Sequence, residues 1–279
     1  MPTLYVSDLD GTLLDDAGRL SPASRAGLLS LLELGVLFTV ASARSVHSMR
    51  EILGELPLSL PVIGGNGALL SDYATGRHLD ILSLESAVAD RLVRLGREFS
   101  LEPVVALYTA EDSRILYEHS ANPGMAWCIA EREAVGDNRL QQVDDIHAHT
   151  GADVVALTCI GREEQVRELA RAAREAVPEI TTVQYENTYT PGWFWLSFQH
   201  ARADKGSALL RLVARQGLAD VRTVVFGDNH NDLPLFAVAD HAVAVANAPE
   251  EIRVAADAVI GYNAGDAVVA YMLRETTGS

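Results

Sequence analysis

Cationic residues and cysteines are scarce in this sequence of 279 residues. Only 22 lysines and arginines stand against 38 aspartates and glutamates, which gives a formal net charge of −16. A general nucleic-acid-binding protein needs a basic face, so we expect no nucleic acid as a partner. The two cysteines, Cys128 and Cys159, lack the spacing of metal ligands. We therefore expect buried free thiols in a protein of the reducing cytoplasm.

Long hydrophobic runs are missing as well. The best apolar stretch, residues 28–43, is interrupted by Glu33 and falls short of the ~20 residues that a membrane-spanning helix needs. The chain starts with a strand-like segment at residues 4–6 and no basic region precedes it, so we expect no signal peptide. Hydrophobic residues make up 48% and charged residues 22%, which is the usage of a globular protein without a membrane partner.

Lysine occurs once, at Lys205, because the other 21 cationic residues are all arginine. The two side chains differ chemically, since lysine carries a compact ammonium and arginine carries a broad planar guanidinium. Lys205 is either a surface lysine that survived by chance or a charge that a specific site requires. Composition alone leaves both interpretations open.

Strand-like apolar runs alternate with helical patterns at both ends of the chain. Buried strands are predicted at residues 4–9, 36–41 and 61–63, with helices between them. A further buried strand at residues 223–226 is followed by more helix and strand patterns. This alternation predicts an α/β fold, with a Rossmann-like, doubly wound parallel sheet that carries helices on both faces.

The middle of the chain has a different pattern. Short strands surround predicted helices near residues 85–99 and 163–177, which indicates a separate α+β unit. We therefore predict a core domain formed by residues 1–82 and 188–279, and an inserted domain at residues 83–187.

Pairs of aspartates follow two of the predicted buried strands. Asp8 and Asp10 precede a Gly-Thr turn, and Asp228 and Asp232 follow the strand at residues 223–226. Ligands of open α/β sheets bind at the carboxyl ends of strands, so these acids can share one crevice. Clustered carboxylates repel one another unless a cation lies between them or one of them is protonated, and their oxygens suit Mg²⁺. Aspartates that merely cap unrelated turns are the alternative.

Hydroxyl and cationic side chains occupy comparable positions elsewhere. Ser42 and Arg44 follow the predicted strand at residues 36–41, where a hydroxyl can meet a phosphate oxygen or simply cap a helix. Lys205 begins another predicted helix and can place a positive charge beside a phosphoryl group. Each signal is weak alone, but four such sites in one chain favour a phosphate-processing centre.

The combined motifs resemble those of the haloacid dehalogenase superfamily of phosphohydrolases. The matching segments are Asp8-Leu9-Asp10-Gly11-Thr12, Ser42-Ala43-Arg44, Lys205-Gly206 and Gly227-Asp228-Asn229-His230-Asn231-Asp232. The Cof-type branch, subfamily IIB, is most similar, because it has a large α/β cap at the position of residues 83–187. Its Asn-Gly-Ala stretch is similar to Asn66 and the two residues that follow it.

The resemblance implies a role for each matching residue. Asp8 would be the nucleophile, and Asp10 would be the general acid and then the general base. Mg²⁺ would be held by Asp8, Asp228 and the backbone carbonyl of Asp10, with support from Asp232. The residues implied to contact substrate or phosphate are Leu9, Gly11, Thr12, Ser42, Ala43, Arg44, Asn66, Lys205 and Asn231, of which Lys205 is also implied to be catalytic.

The resemblance implies a Mg²⁺-dependent phosphatase of small phosphorylated metabolites, with sugar phosphates as the leading class, acting as a monomer or homodimer. Two alternatives remain open: a phosphotransferase or phosphomutase on the same scaffold, and a non-catalytic sensor of phosphorylated metabolites. Ser42 and Ala43 depart from the usual Thr-Gly of the family, and Asn229 replaces a usually small residue. None of these departures removes an implied catalytic group.

Overall fold

A computed structural model describes residues 2–151, 153–187 and 189–278 of the chain. The chain divides into two compact units, Met1–Asp80 with Ala203–Ser279, and Ile81–Arg202. The strands are, in chain order, β1 (Thr3–Ser7), β2 (Leu37–Val40), β3 (Val62–Gly64), β4 (Leu69–Ser71), β5 (His78–Ile81), β6 (Pro103–Tyr108), β7 (Ser113–Tyr117), β8 (Leu140–Gln142), β9 (Val154–Gly161), β10 (Ile180–Glu186), β11 (Phe194–His200), β12 (Arg222–Gly227), β13 (His241–Ala244) and β14 (Ala258–Val259).

The helices begin and end where the sequence offers caps. Ser21 caps the first helix and accepts a hydrogen bond from Ser24 N, and Ser45 does the same for the second helix through Ser48 N. The helices are α1 (Pro22–Glu33), α2 (Val46–Leu53), α3 (Ser86–Glu98), α4 (Pro123–Ala134), α5 (Glu163–Ala176), α6 (Lys205–Gln216), α7 (Leu233–Val238), α8 (Glu250–Ala255) and α9 (Ala267–Thr277). None of the helices that the structure describes combines the length and the apolar character needed to cross a bilayer.

The first unit is built on a parallel sheet. Its strand order is β14-β13-β12-β1-β2, and every neighbouring pair runs parallel. Because side chains alternate across a strand, Tyr5 faces one side of this sheet while Leu4 and Val6 face the other. Helices α1, α2 and α9 pack on the Tyr5 side, and α6, α7 and α8 pack on the opposite side. The predicted doubly wound α/β core is confirmed.

A small second sheet extends the core beyond β2. Ala41 forms an isolated parallel bridge with Ile63 of β3, and β3 pairs with β4 in antiparallel order, followed by β5. A short turn of 3₁₀ helix at Gly65–Gly67 joins β3 to β4. This turn matters for the site because it carries Asn66 to the carboxyl end of the strands.

The second unit is a six-stranded sheet in the order β10-β11-β9-β6-β7-β8, antiparallel except for the β7–β8 pair. Helices α3 and α5 cover one face through residues such as Leu92 and Leu169. Helix α4 covers part of the other face, where Met125 packs near Trp195. Strand β11 lies between β10 and β9, so this unit extends beyond residue 187 to Arg202.

Both cysteines lie in the second unit and are buried free thiols, as predicted. Cys159 is inaccessible to solvent, and burial raises the pKa of its thiol to about 12. A thiol held in its neutral form is a poor nucleophile and a poor metal ligand, so Cys159 acts as a small apolar residue of the core.

Candidate active site

The first two aspartates stand at the carboxyl end of β1, beside the end of β12. Ser7 pairs in register with Phe226, and the backbone N–H of Asp8 donates to the Phe226 carbonyl oxygen at 3.0 Å. After Asp8 the chain leaves the pleat in a tight turn at Leu9–Leu13, where Gly11 has a φ of +79°. Only glycine adopts this conformation without strain, so the turn explains the residue at position 11.

Lys205 lies at the centre of a buried charge cluster. Its Nζ donates to Oδ1 of Asp8 and to Oδ1 of Asp232, each at 2.6 Å. The side chains of Lys205 and Asp232 are both 0% exposed, so water cannot screen these contacts. The single lysine of the chain is therefore a buried bridge between two carboxylates and not a surface residue.

The loop after β12 brings in the remaining acids. Thr12 Oγ1 donates to Oδ1 of Asp228 at 2.9 Å, which joins the first acidic motif to the last. Asp232 Oδ2 accepts hydrogen bonds from the backbone N–H groups of Asp228 and Asn229, both at 3.0 Å. Since Asp232 Oδ1 already binds Lys205, this carboxylate organises the loop and the ammonium from its buried position.

The pKa values of the cluster reflect its burial. Burial raises the pKa of Asp8 to about 7, and the repulsion of Asp232 and Asp228 adds to the rise that Lys205 opposes. Burial likewise raises the pKa of Asp228. Burial alone lowers the pKa of Lys205, but the attraction of Asp8 and Asp232 outweighs it, so the pKa is raised and the ammonium stays charged. The one ammonium of Lys205 is therefore not enough to stabilise the ionised forms of all the carboxylates around it.

The donor set fits a hard divalent cation. One oxygen each of Asp8, Asp228 and Asp232 lies within 4.8 Å of the others. Three carboxylates against the one ammonium of Lys205 leave a net charge of −2 when all are ionised, which a single Mg²⁺ would neutralise. Oxygen ligands are also those that Mg²⁺ prefers. Asp8 and Asp228 are the residues that would hold the ion, because Asp232 already uses both oxygens.

Amide and hydroxyl groups form the side of the site next to β2. Ser42 is buried after β2, and its carbonyl oxygen accepts a hydrogen bond from Asn66 N at 3.0 Å. Asn66 has a φ of +56° in its turn, and its Oδ1 accepts a hydrogen bond from Asn231 Nδ2 at 3.0 Å. The structure therefore brings together Ser42, Asn66 and Asn231 from three segments of the chain.

Arg44 contacts an aspartate of the first motif. Its Nε donates to Asp10 Oδ2 and its Nη2 donates to Asp10 Oδ1, both at 2.7 Å. Of the other residues implied to contact substrate, Leu9 is fully buried in the hydrophobic core and can offer only its backbone, while Ala43 is exposed.

Two asparagines that carry no catalytic role in the sequence analysis also support the site. Asn247 Nδ2 donates to the Gly11 carbonyl oxygen at 2.7 Å, and its Oδ1 accepts from Asn263 N at 3.1 Å. Asn263 is buried and donates to the Leu14 carbonyl oxygen at 2.9 Å. These bonds fix the turn after β1 at its middle residue, Gly11, and at Leu14, which follows the turn. No local sequence signal points to Asn263, because its partners are distant in the chain.

Comparison with known proteins identifies the same family that the motifs resemble. A family model described as haloacid dehalogenase-like hydrolase matches residues 5–272. Pyridoxal phosphate phosphatase of Escherichia coli is 24% identical over 95% of this chain and 95% of its own. The 5-amino-6-(5-phospho-D-ribitylamino)uracil phosphatase of Bacillus subtilis is 25% identical over 88% of each chain.

A solved structure shows the same fold. A subclass IIB sugar phosphatase of the haloacid dehalogenase superfamily matches with a TM-score of 0.74 and 17% identity, covering 98% of this chain and 99% of that one. The family match spans both units, which confirms the resemblance predicted from the four motifs. The chain belongs to the haloacid dehalogenase-like hydrolases.

Proposed function

We propose that this protein is a Mg²⁺-dependent phosphatase of small phosphorylated metabolites that acts through a phosphorylated Asp8. The buried cluster at the ends of β1 and β12 carries the proposal, because it combines a carboxylate nucleophile, a fixed ammonium and a donor set of net charge −2. Phosphoryl transfer depends mainly on positioning and on neutralising the charge of the transferred oxygens. The phosphatase names of the two relatives support the same reaction.

In the first step, Asp8 attacks the phosphorus atom of the substrate. Lys205 holds Oδ1 of Asp8, so the other carboxylate oxygen forms the new bond while the bond from phosphorus to the leaving oxygen breaks. Asp10, in its protonated form, gives its proton to the leaving alcohol. Its place two residues after Asp8, on the turn outside the core, lets it reach the leaving group.

In the second step, water attacks the phosphorylated Asp8. Asp10, now a carboxylate, takes a proton from the water as the new phosphorus–oxygen bond forms, and the bond to Asp8 breaks to release phosphate. Ser42, Asn231 and Lys205 offer a hydroxyl, an amide and an ammonium to the phosphoryl oxygens.

Mg²⁺, held by Asp8 and Asp228, would supply positive charge that lets an anionic nucleophile approach an anionic phosphate. This help is needed because the chain as a whole carries −16 and would repel such a substrate. Asp232 holds Lys205 and the loop after β12 in place beside the residues that would hold the ion.

The proposed substrates are phosphomonoesters of small metabolites, with sugar phosphates first and phosphorylated pyridoxal or ribityl compounds next, the classes that the names of the similar proteins give.

We place the enzyme in the cytoplasm, because buried free thiols suit a reducing compartment.

The proposal is tested by phosphate release from a panel of phosphomonoesters. With Mg²⁺ we expect release from several compounds, and with EDTA we expect the rate to fall by about 100-fold or more, since transition-state charge then lacks its counterion. Added Mg²⁺ should restore the rate.

Other outcomes of the panel would contradict the proposal. Phosphate that appears on an added sugar acceptor instead of in solution would indicate a phosphotransferase or phosphomutase. A melting temperature that rises with a phosphorylated metabolite, with no release of phosphate, would indicate a sensor. Equal rates with Mg²⁺ and with EDTA would remove the metal from the reaction.

Gly11→Ala should weaken metal-dependent activity through a steric contact. A Cβ at position 11 would lie 2.5 Å from Oδ2 of Asp228, so the carboxylate must move away. We expect a higher Mg²⁺ concentration for half-maximal activity and a kcat lower by about 10²-fold, because small displacements at a reacting centre have large effects.

Gly35→Ala is the matched control. Gly35 has the same φ of +79°, but a Cβ there meets no atom within 4 Å. Both variants should lose about 1–2 kcal/mol of unfolding free energy from the left-handed backbone. Only Gly11→Ala should lose activity and Mg²⁺ response in titrations of phosphate release. Equal activity of the two variants would show that Asp228 tolerates displacement.

A further inference from the structure

Arg44 holds the Asp10 side chain through a two-point contact. Nε and Nη2 of the guanidinium each donate to a different oxygen of the Asp10 carboxylate, at 2.7 Å. Such a bidentate pair fixes the orientation of a carboxylate as well as its place, because both of its oxygens are directed at once. A lysine could not do this, since its ammonium is a single point of charge.

The guanidinium is itself fixed from the other side. Arg44 Nη1 donates to Ser48 Oγ in the first turn of α2 at 3.1 Å, and the Arg44 carbonyl oxygen accepts from Gly65 N at 3.1 Å. All three guanidinium nitrogens therefore already donate, two of them to Asp10 and one to Ser48. This arrangement supports Asp10 and commits three of the five guanidinium N–H groups to Asp10 and Ser48.

Stability does not explain the pair. The side chains of Arg44 and Asp10 are 34% and 49% exposed, and ion pairs this accessible contribute little to folding. Asp10 lies on the turn after the core strand with its side chain half exposed, so without a partner its carboxylate would be free to rotate.

We propose that Arg44 is a positioning residue that holds the Asp10 carboxylate as the proton acceptor for hydrolysis of the phosphorylated Asp8. The inference rests on the proposed function and assigns Arg44 a task different from phosphate binding. In that step water forms a bond to phosphorus, one of its protons passes to an Asp10 oxygen, and the bond between phosphorus and Asp8 breaks. The two-point contact holds the Asp10 carboxylate in place while the proton is transferred, and the proton gained from the water is the one that Asp10 gives to the next leaving group.

The test is a double-mutant cycle with Arg44→Gln and Asp10→Asn. In the wild-type background we expect Arg44→Gln to lower kcat by about 10- to 100-fold with little change in KM, because the acceptor loses its orientation. In the Asp10→Asn background the same change should alter kcat by less than about 2-fold, since its target has gone. Arg19→Gln, which breaks the exposed pair of Arg19 with Asp15, is the control and should leave kcat unchanged.

A rapid-mixing experiment with p-nitrophenyl phosphate identifies the affected step. Arg44→Gln should release a burst of about one nitrophenol per active site at the wild-type rate, followed by a slower steady state, because hydrolysis of the intermediate then limits turnover. Inhibition by inorganic phosphate should change by less than about 2-fold, since Arg44 does not bind the phosphoryl group in this assignment.

Several results would overturn the assignment. Additive losses in the cycle, or inhibition by phosphate that weakens about 10-fold or more, would make Arg44 a phosphate-binding residue instead. Full activity of Arg44→Lys would show that a positive charge alone suffices and that the two-point contact of the guanidinium has no role. These results leave the phosphatase proposal standing, whereas a wild-type protein that releases no phosphate would end both proposals.

Discussion

Replacing Asp8 with asparagine should abolish turnover and leave the fold intact. Asparagine cannot form the phosphorylated intermediate, so we expect phosphate release to fall by roughly 10⁴-fold or more, to what binding and electrostatics alone provide. The fold should survive because the two side chains have the same shape. Burial already raises the pKa of Asp8 to about 7, so a neutral group at this position also removes an unfavourable buried charge.

Phosphate release and the melting temperature of Asp8→Asn together check this expectation. Asp220→Asn makes the same chemical change at an exposed position and should be as active as the wild type. A melting temperature of Asp8→Asn within a few degrees of the wild type would confirm that the loss is chemical. Activity retained by a pure sample of Asp8→Asn would remove Asp8 as the nucleophile.

Replacing Lys205 with methionine should damage stability and activity at once. The change keeps much of the side-chain volume but leaves Asp8 and Asp232 buried without the ammonium that binds both at 2.6 Å. Removing one partner of a buried ion pair typically destabilises a protein by about 3–5 kcal/mol. Activity should fall by about 10²-fold or more, because the charge beside the transferred phosphoryl group is lost as well.

A second change separates the two losses. Lys205→Met combined with Asp232→Asn removes one of the uncompensated carboxylates, so urea unfolding should show stability partly restored while kcat/KM stays low. Lys205→Arg keeps the positive charge but places a larger planar group in a site with no exposed surface, so it should not restore the wild-type rate. Arg215→Ala, at an exposed position of the same helix, should change neither quantity. An unchanged kcat/KM in Lys205→Met would contradict the role of Lys205.

Local sequence signals were sufficient for most of the fold. The runs that became β1, β2 and β12 are continuous apolar segments between helical patterns, and such segments form strands buried on both faces of a sheet. The insertion was visible because its pattern differs from that of the core. Its boundary beyond residue 187 was not visible, because β11 joins this sheet through hydrogen bonds to β9 and β10 that no local signal encodes.

The residue types at the strand ends can be read directly from the order of the amino acids. Asp8 and Asp10 follow β1, and Asp228 follows β12, so the topology of a parallel sheet is enough to bring them to one edge. The lone Lys205 was noticed for its rarity, but composition could not tell a buried bridge from a surface charge.

The partners of these residues depend on how the folded chain packs. Lys205 and Asp8 lie 197 residues apart, Thr12 and Asp228 lie 216 apart, and Arg44 and Asp10 lie 34 apart. Contacts at such separations depend on how whole strands and helices pack, and local periodicity contains no record of them. For that reason the motifs predicted the chemistry of the site. The burial of its charges and the two hydrogen bonds from Arg44 to Asp10 are visible only in the folded chain.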